Sequence, residues 1–185
     1  MALTGHRFTA EEYLSLPPDD RFTQLIDGEI VVNQPSVRHQ DITGLLYRRL
    51  AEWSEVRPER GRAGIPVDVV VDETNVLVPD VWWVADDHRP SADALRLDRP
   101  PDLAVEVRSP PTWRYDVGAK KAAYERAGLP ELWLVDTESE TVLVYRRAAP
   151  ESREFDVALE LGAGEALWSP LLPGFTLPVA GIFAP

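Results

Sequence analysis

The chain has no cysteine among its 185 residues, which removes disulfides, thiolate nucleophiles and Cys-based zinc sites together. Histidine is scarce as well, and His6, His39 and His88 show no spacing suited to a metal cluster. No run approaches the ~20 apolar residues of a membrane span. Met1–Ala10 lacks the apolar centre of a signal peptide, so the expected location is the cytoplasm, with no membrane partner. Basic charge is also in short supply: 19 Lys and Arg stand against 31 Asp and Glu, a formal charge of −12. Proteins that coat nucleic acid carry the opposite balance, because their affinity comes largely from neutralising phosphates. Only a local basic site remains open.

What is present is enough apolar sequence, 44%, to bury a core, in a length that suits one domain over residues 1–185. Thr9-Ala10-Glu11-Glu12 fits a capping box that opens a short helix, ending near Pro17 and Pro18. Asp27-Gly28 separates the strand-like runs Phe22–Ile26 and Glu29–Asn33, a hairpin signal. Ile42, Leu45, Leu46, Leu50 and Trp53 form a helical stripe within Ser36–Val56. Strands are expected at Ile65–Val71, Val76–Val84 and Leu103–Val107, then a helix over Asp116–Ala127 that Gly128 and Pro130 stop. Further strands follow at Glu131–Val135, Val142–Arg146 and Phe155–Leu161. The Pro-rich tail from Leu167 is too apolar for a free linker and is expected to wrap onto the core. This order predicts an α/β (α+β) fold: a mixed central sheet flanked by helices, with an N-terminal helix and β-hairpin.

Glu106 stands out, a carboxylate inside the apolar run Leu103-Ala104-Val105-Glu106-Val107. Alternation puts Leu103, Val105 and Val107 on one face and Ala104, Glu106 and Arg108 on the other. Asp80, beside Pro79, offers a second acid in an apolar setting. If the two strands are neighbours, the carboxylates meet and repel, and a hard divalent cation is one remedy. Lys120 and Tyr124 stand at i, i+4 on the following helix, where the lysine can reach back toward Glu106. Bland readings stand beside these. Asp80 alone is a turn or strand-end acid, Glu106 a structural partner of Arg108 or another cation, and Lys120 a solvated helix residue. Asp116 reads as a helix N-cap that also positions the lysine region. Lys121 should be exposed near Glu125, and of Trp82 and Trp83 one should face the core and the other a surface or subunit contact.

In order, "QLIDGEIVV", "PSVRHQDI", "VPDVWWV", "LAVEVRSPPTWRYDVGAKKAAYERAGLPELWLVD" and "SPLLPGFTLP" resemble the Uma2 family (DUF820) of endonucleases, in the PD-(D/E)xK nuclease superfamily. The resemblance runs over roughly residues 8–183. It implies a restriction-endonuclease-like core and a Mg²⁺ (or Mn²⁺) site in which Asp80 and Glu106 are the metal-binding acids and Lys120 the catalytic lysine. The superfamily's usual lysine position, two residues past the second acid, holds Arg108, which either substitutes in part for that lysine or simply pairs with a surface acid. The family's "ELIDGE" reads Gln24 in place of its first glutamate, and an amide there would weaken the site. Gln24, Glu29, His39, Arg108 and Tyr124 are the possible edge of the site. The implied activity is metal-dependent hydrolysis of phosphodiester bonds in nucleic acid, DNA by expectation, by a homodimer. A basic patch of Arg38, Arg108, Arg114, Lys120 and Lys121 is expected around the acids. Two other classes compete: a nuclease-fold binding or scaffold protein with weak or no catalysis, and a metal-free carboxylate-pair hydrolase such as a glycosidase.

Overall fold

A computed structural model describes residues 6–17 and 22–184. Helix α1 (Ala10–Leu14) carries the capping box: the Glu12 amide donates to Thr9 Oγ1 and the Thr9 amide to Glu12 Oε2. It ends three residues before Pro17, and Pro18 lies outside the described residues. Strands β1 (Thr23–Ile26) and β2 (Glu29–Val32) form the hairpin. Asp27 and Gly28 both have positive φ, 47° and 77°, as the tight turn between twisted strands requires. A Cβ on Gly28 would also meet Arg7 Cβ at 3.0 Å. Helix α2 (Val37–Glu55) starts under Ser36, whose hydroxyl accepts from the His39 amide.

Next come β3 (Arg62–Gly64), β4 (Val69–Asp72), β5 (Asn75–Leu77), β6 (Val81–Val84) and β7 (Leu103–Val107). Helix α3 (Trp113–Tyr115), a π-turn over Asp116–Lys120 and α4 (Lys121–Arg126) lead to β8 (Glu131–Asp136), β9 (Thr141–Arg146) and β10 (Val157–Leu161). The tail adds β11 (Ala166–Leu167), β12 (Leu177–Pro178) and α5 (Ala180–Phe183). Six strands make the main sheet in the order β10-β9-β8-β7-β6-β3, and β2-β1-β5-β4 make a second one. Of the main-sheet pairs only β7–β8 is parallel, which is why a helical crossover joins those two strands. The architecture is the expected one, a mixed sheet with helices on both faces.

The alternation in β7 sorts the core as read. Leu103, Val105 and Val107 face α2 through Ile42, Leu46 and Leu50, with Trp133 and Val144 in the same cluster. Ala104 faces the other way, toward Ala123, Tyr124, Leu132 and Leu134. The tail wraps onto the first of these layers through Leu167, Leu172, Phe175, Leu177, Val179 and Ile182. Beneath it lies a buried ion pair. Glu131 Oε1 accepts from Arg146 Nη2 at 3.3 Å and from Trp133 Nε1 at 2.6 Å, while Ser169 donates to Oε2 at 2.8 Å. Arg146 also donates to the Trp168 carbonyl and lies 4.6 Å over its ring. Among the described residues no helix is long and apolar enough to cross a membrane.

Three expectations fail and one strand arrives unannounced, each for a tertiary reason. The expected strand from Ile65 begins only at Val69, because Ile65 is left exposed and its carbonyl is taken by the Trp82 indole N–H. Arg62–Gly64 is a strand the sequence did not announce. It pairs with β6, and at Gly64 a Cβ would fall 2.0 Å from the Trp82 ring, so only glycine fits. The run Val76–Val84 is cut at Val78-Pro79-Asp80, with β5 joining the hairpin sheet and β6 the main sheet; Pro79, with no N–H to offer a ladder, lies in the gap. Trp82 and Trp83 are both buried: Trp83 sits in the main core, and Trp82 covers Gly64 beside Val69 and Leu97.

Candidate functional site

The break before β6 places the first acid. Val81 lies opposite Val105, so one further antiparallel step sets Asp80 opposite Glu106. Asp80 Oδ2 accepts from the Val107 amide at 2.7 Å, doing for β7 what a ladder carbonyl would do past the end of the pairing. The same oxygen lies 3.2 Å from His39 Nε2 on the first turn of α2. The carboxylate thus ties three elements together. His39 is buried, and its Nδ1 has no hydrogen-bond partner among the described residues.

Glu106 is 2% exposed. Its Oε2 lies 2.6 Å from Lys120 Nζ, and its Oε1 accepts from the Tyr124 hydroxyl at 3.0 Å. Lys120 Nζ also lies 3.0 Å from Asp116 Oδ1. Asp116 and Lys120, the ends of the π-turn, are themselves only 4% and 2% exposed. The expectation that Asp116 caps the helix is therefore corrected. The helix has already begun at Trp113, whose amide donates to the Ser109 carbonyl, so Asp116 lies inside it and turns its carboxylate to Lys120. The i, i+4 spacing of Asp116 and Lys120 was the available signal.

Two buried carboxylates, Glu106 and Asp116, share one ammonium, and a third, Asp80, lies near them on its own partners, the Val107 amide and His39. Burial pushes the Glu106 carboxyl up to about 8, against the pull of Lys120 and with a further push from Asp116 and Asp80. Burial raises Asp116 as well, again against Lys120. Burial alone would lower Lys120, but Glu106 and Asp116 more than reverse it and hold the side chain charged. Tyr124 is raised well above an ordinary tyrosine by burial and by the Glu106 charge, which keeps its hydroxyl a donor.

The remaining candidates do not join this cluster as expected. Gln24 is buried on β1, where its Oε1 accepts from the Val78 amide at 3.3 Å, next to the break. Glu29 is exposed on β2 and faces Arg7 at 3.6 Å. Arg108 is not the partner of Glu106. Its guanidinium pairs with Asp136 at 2.7 Å and with Glu138, and lies over the Trp113 ring. The basic patch fails for the same kind of reason: Arg38 is paired with Glu140 at 2.7 Å and Lys120 is buried. Arg114 stays exposed beside Tyr115. Lys121 is half-buried 4.6 Å from the Tyr145 ring, rather than free near Glu125.

Among the described residues no group of three or more His, Cys, Asp or Glu side chains is arranged to hold a metal ion. The donor chemistry nonetheless fits a hard divalent cation: carboxylate oxygens in negative excess, with Asp80 and Glu106 on adjacent strand ends. Two protein ligands suffice for an ion such as Mg²⁺, which keeps several of its waters.

Comparison with known proteins bears on the family and the fold. The family model Uma2, described as "Putative restriction endonuclease", matches residues 10–180. The crystal structure of a putative nuclease belonging to DUF820 from Anabaena variabilis ATCC 29413 superposes with a TM-score of 0.81. At 20% identity, over 95% of this chain and 97% of that one, the likeness shows a shared fold. No curated protein matches the chain.

Proposed function

The chain belongs to the Uma2 family, and from that premise we propose that it is a divalent-metal-dependent endonuclease that hydrolyses phosphodiester bonds in DNA. The observation that carries this reading is a pair of buried carboxylates, Asp80 and Glu106, at the ends of two adjacent strands, with a charged lysine held on Glu106 and on Asp116 of the following helix. Asp80 and Glu106 would hold Mg²⁺ or Mn²⁺, which supplies an activated water and neutralises phosphate charge when bound. The chain's own contribution is positional. The Val107 amide and His39 fix Asp80, and Tyr124 fixes Glu106. Lys120, held protonated, suits the role of a donor to the charge that develops on the phosphoryl oxygens rather than that of a base.

The test is cleavage of single- and double-stranded DNA and of RNA with Mg²⁺ or Mn²⁺, using wild type, Asp80→Ala, Glu106→Ala and Lys120→Gln. Expected is metal-dependent DNA cleavage that each substitution lowers by at least about a hundredfold. Activity that survives both acid substitutions sinks the assignment. A second reading, a binding or scaffold protein on the nuclease fold, is favoured by the paired state of Arg38 and Arg108 and by the −12 charge. Calorimetric titration with Mg²⁺ and Mn²⁺ separates the two: ion binding that Glu106→Ala abolishes, together with cleavage, excludes the inert scaffold. We include a homodimer in the proposal, and light scattering showing only monomer at assay concentration removes it.

A further inference from the structure

Lys120 occupies ground that a metal ion would need. Its ammonium sits 2.6 Å from one Glu106 oxygen, and Tyr124 holds the other. A divalent cation arriving at Glu106 meets a positive charge already in contact with its ligand. Two outcomes are open to the lysine. It can be expelled from a buried pocket into which a long stem is packed, or it can be retained by another anion. Asp116 supplies that anion, one helical turn earlier and 3.0 Å from the same ammonium. It is buried, and Lys120 is the partner its carboxylate meets. An acid in that position is not needed to cap the helix, and among the described residues its carboxylate makes no hydrogen bond to the strands that carry Asp80 and Glu106.

We propose that Asp116 is a positioning residue that retains the Lys120 ammonium when a divalent cation takes Glu106, so that lysine and metal occupy the site together instead of excluding each other. This rests on the metal-dependent reading above and deepens it. Without Asp116 the lysine has Glu106 alone as its counter-charge and competes for it. The proposal therefore makes a statement about affinity, not only about turnover.

The experiment titrates Mn²⁺ by calorimetry into wild type, Asp116→Asn, Asp116→Glu, Lys120→Gln and the Asp116→Asn/Lys120→Gln double variant, each checked for folding by circular dichroism. Asp116→Asn should weaken Mn²⁺ binding by about tenfold or more, the scale of changes in groups that support metal ligands. Asp116→Glu, which keeps the charge, should recover most of it. Lys120→Gln should bind Mn²⁺ tighter by about tenfold, because a close like charge has gone. In that background most of the Asp116→Asn loss should vanish, a coupling that a purely structural or remote electrostatic role does not produce. Equal losses in both backgrounds, or no loss, overturn the proposal. Should Asp116→Asn fail to fold, Lys120→Gln decides alone: unchanged or weaker Mn²⁺ binding overturns it. A wild-type chain that binds no Mn²⁺ overturns the metal-dependent reading as well, whereas binding without coupling overturns this inference only.

Discussion

Glu131→Leu tests how the tail is held. Glu131 opens β8 opposite Leu103, at the other end of the β7–β8 pair from Glu106. Its two oxygens receive Arg146, the Trp133 indole N–H and Ser169. Leucine would fill much of the volume but leave Arg146 a buried charge without a carboxylate, and the indole N–H and the hydroxyl without acceptors. Breaking one side of a buried pair typically costs about 3–5 kcal/mol, a large share of the roughly 5–15 kcal/mol that stabilises a domain. At about 2–4 °C per kcal/mol for this chain length, the melting temperature should fall by roughly 6–20 °C. Urea unfolding followed by tryptophan fluorescence, with calorimetric melts, measures both quantities. The double variant Glu131→Leu/Arg146→Leu should recover at least about half of the loss, since no charge then remains unpaired. A loss below about 1 kcal/mol for the single variant, or a double variant no better than it, would refute the reasoning.

Three more outcomes follow from geometry already described. Gly64→Ala drives a Cβ into the Trp82 ring and should cost about 1–3 kcal/mol, with an altered near-ultraviolet circular dichroism band; an unchanged band and midpoint count against the packing. Tyr124→Phe leaves Glu106 Oε1 without its hydroxyl donor and should cost about 1–2 kcal/mol in urea unfolding; a neutral result means the bond contributes nothing. Glu106 has a folded-state carboxyl raised to about 8, so its contribution is full below the ordinary carboxylate range and is lost as pH climbs toward that value. The metal-free protein should therefore melt at progressively lower temperature from pH 5 to 8.5, and Glu106→Gln should flatten the slope. A flat wild-type profile would show that the Glu106 carboxyl is not raised.

Local chemistry was legible where it acts over a few residues. The Asp-Gly turn, the Thr9 capping box, the α2 stripe and the alternation in β7 each depend on neighbours within one or two turns of chain. The sequence also pointed to Glu106, Lys120 and Tyr124 as one group, and the structure brings them into contact. Their chemical roles remain the proposal. What escaped were partners far along the chain. Pairing with an acid is one of the two readings of Arg108, but that the acid is Asp136, from the neighbouring parallel strand, shows only in the fold. Strand β3 has no periodicity of its own and exists through pairing with β6. Asp116 reads as a cap only for a helix that starts there, and the helix starts three residues earlier, at Trp113.

The cut at Val78-Pro79-Asp80 has a mechanical consequence. One continuous stretch of chain ends a strand of the hairpin sheet at Leu77 and begins a strand of the main sheet at Val81. Asp80 is therefore the joint between the two sheets, and no glycine lies in the link to absorb a rotation. Gln24 fastens the near side of that joint through the Val78 amide, and Val107 and His39 fasten the far side. A tilt of the hairpin sheet would therefore bear directly on the carboxylate opposite Glu106. In this chain Gln24 acts as a rivet in that linkage.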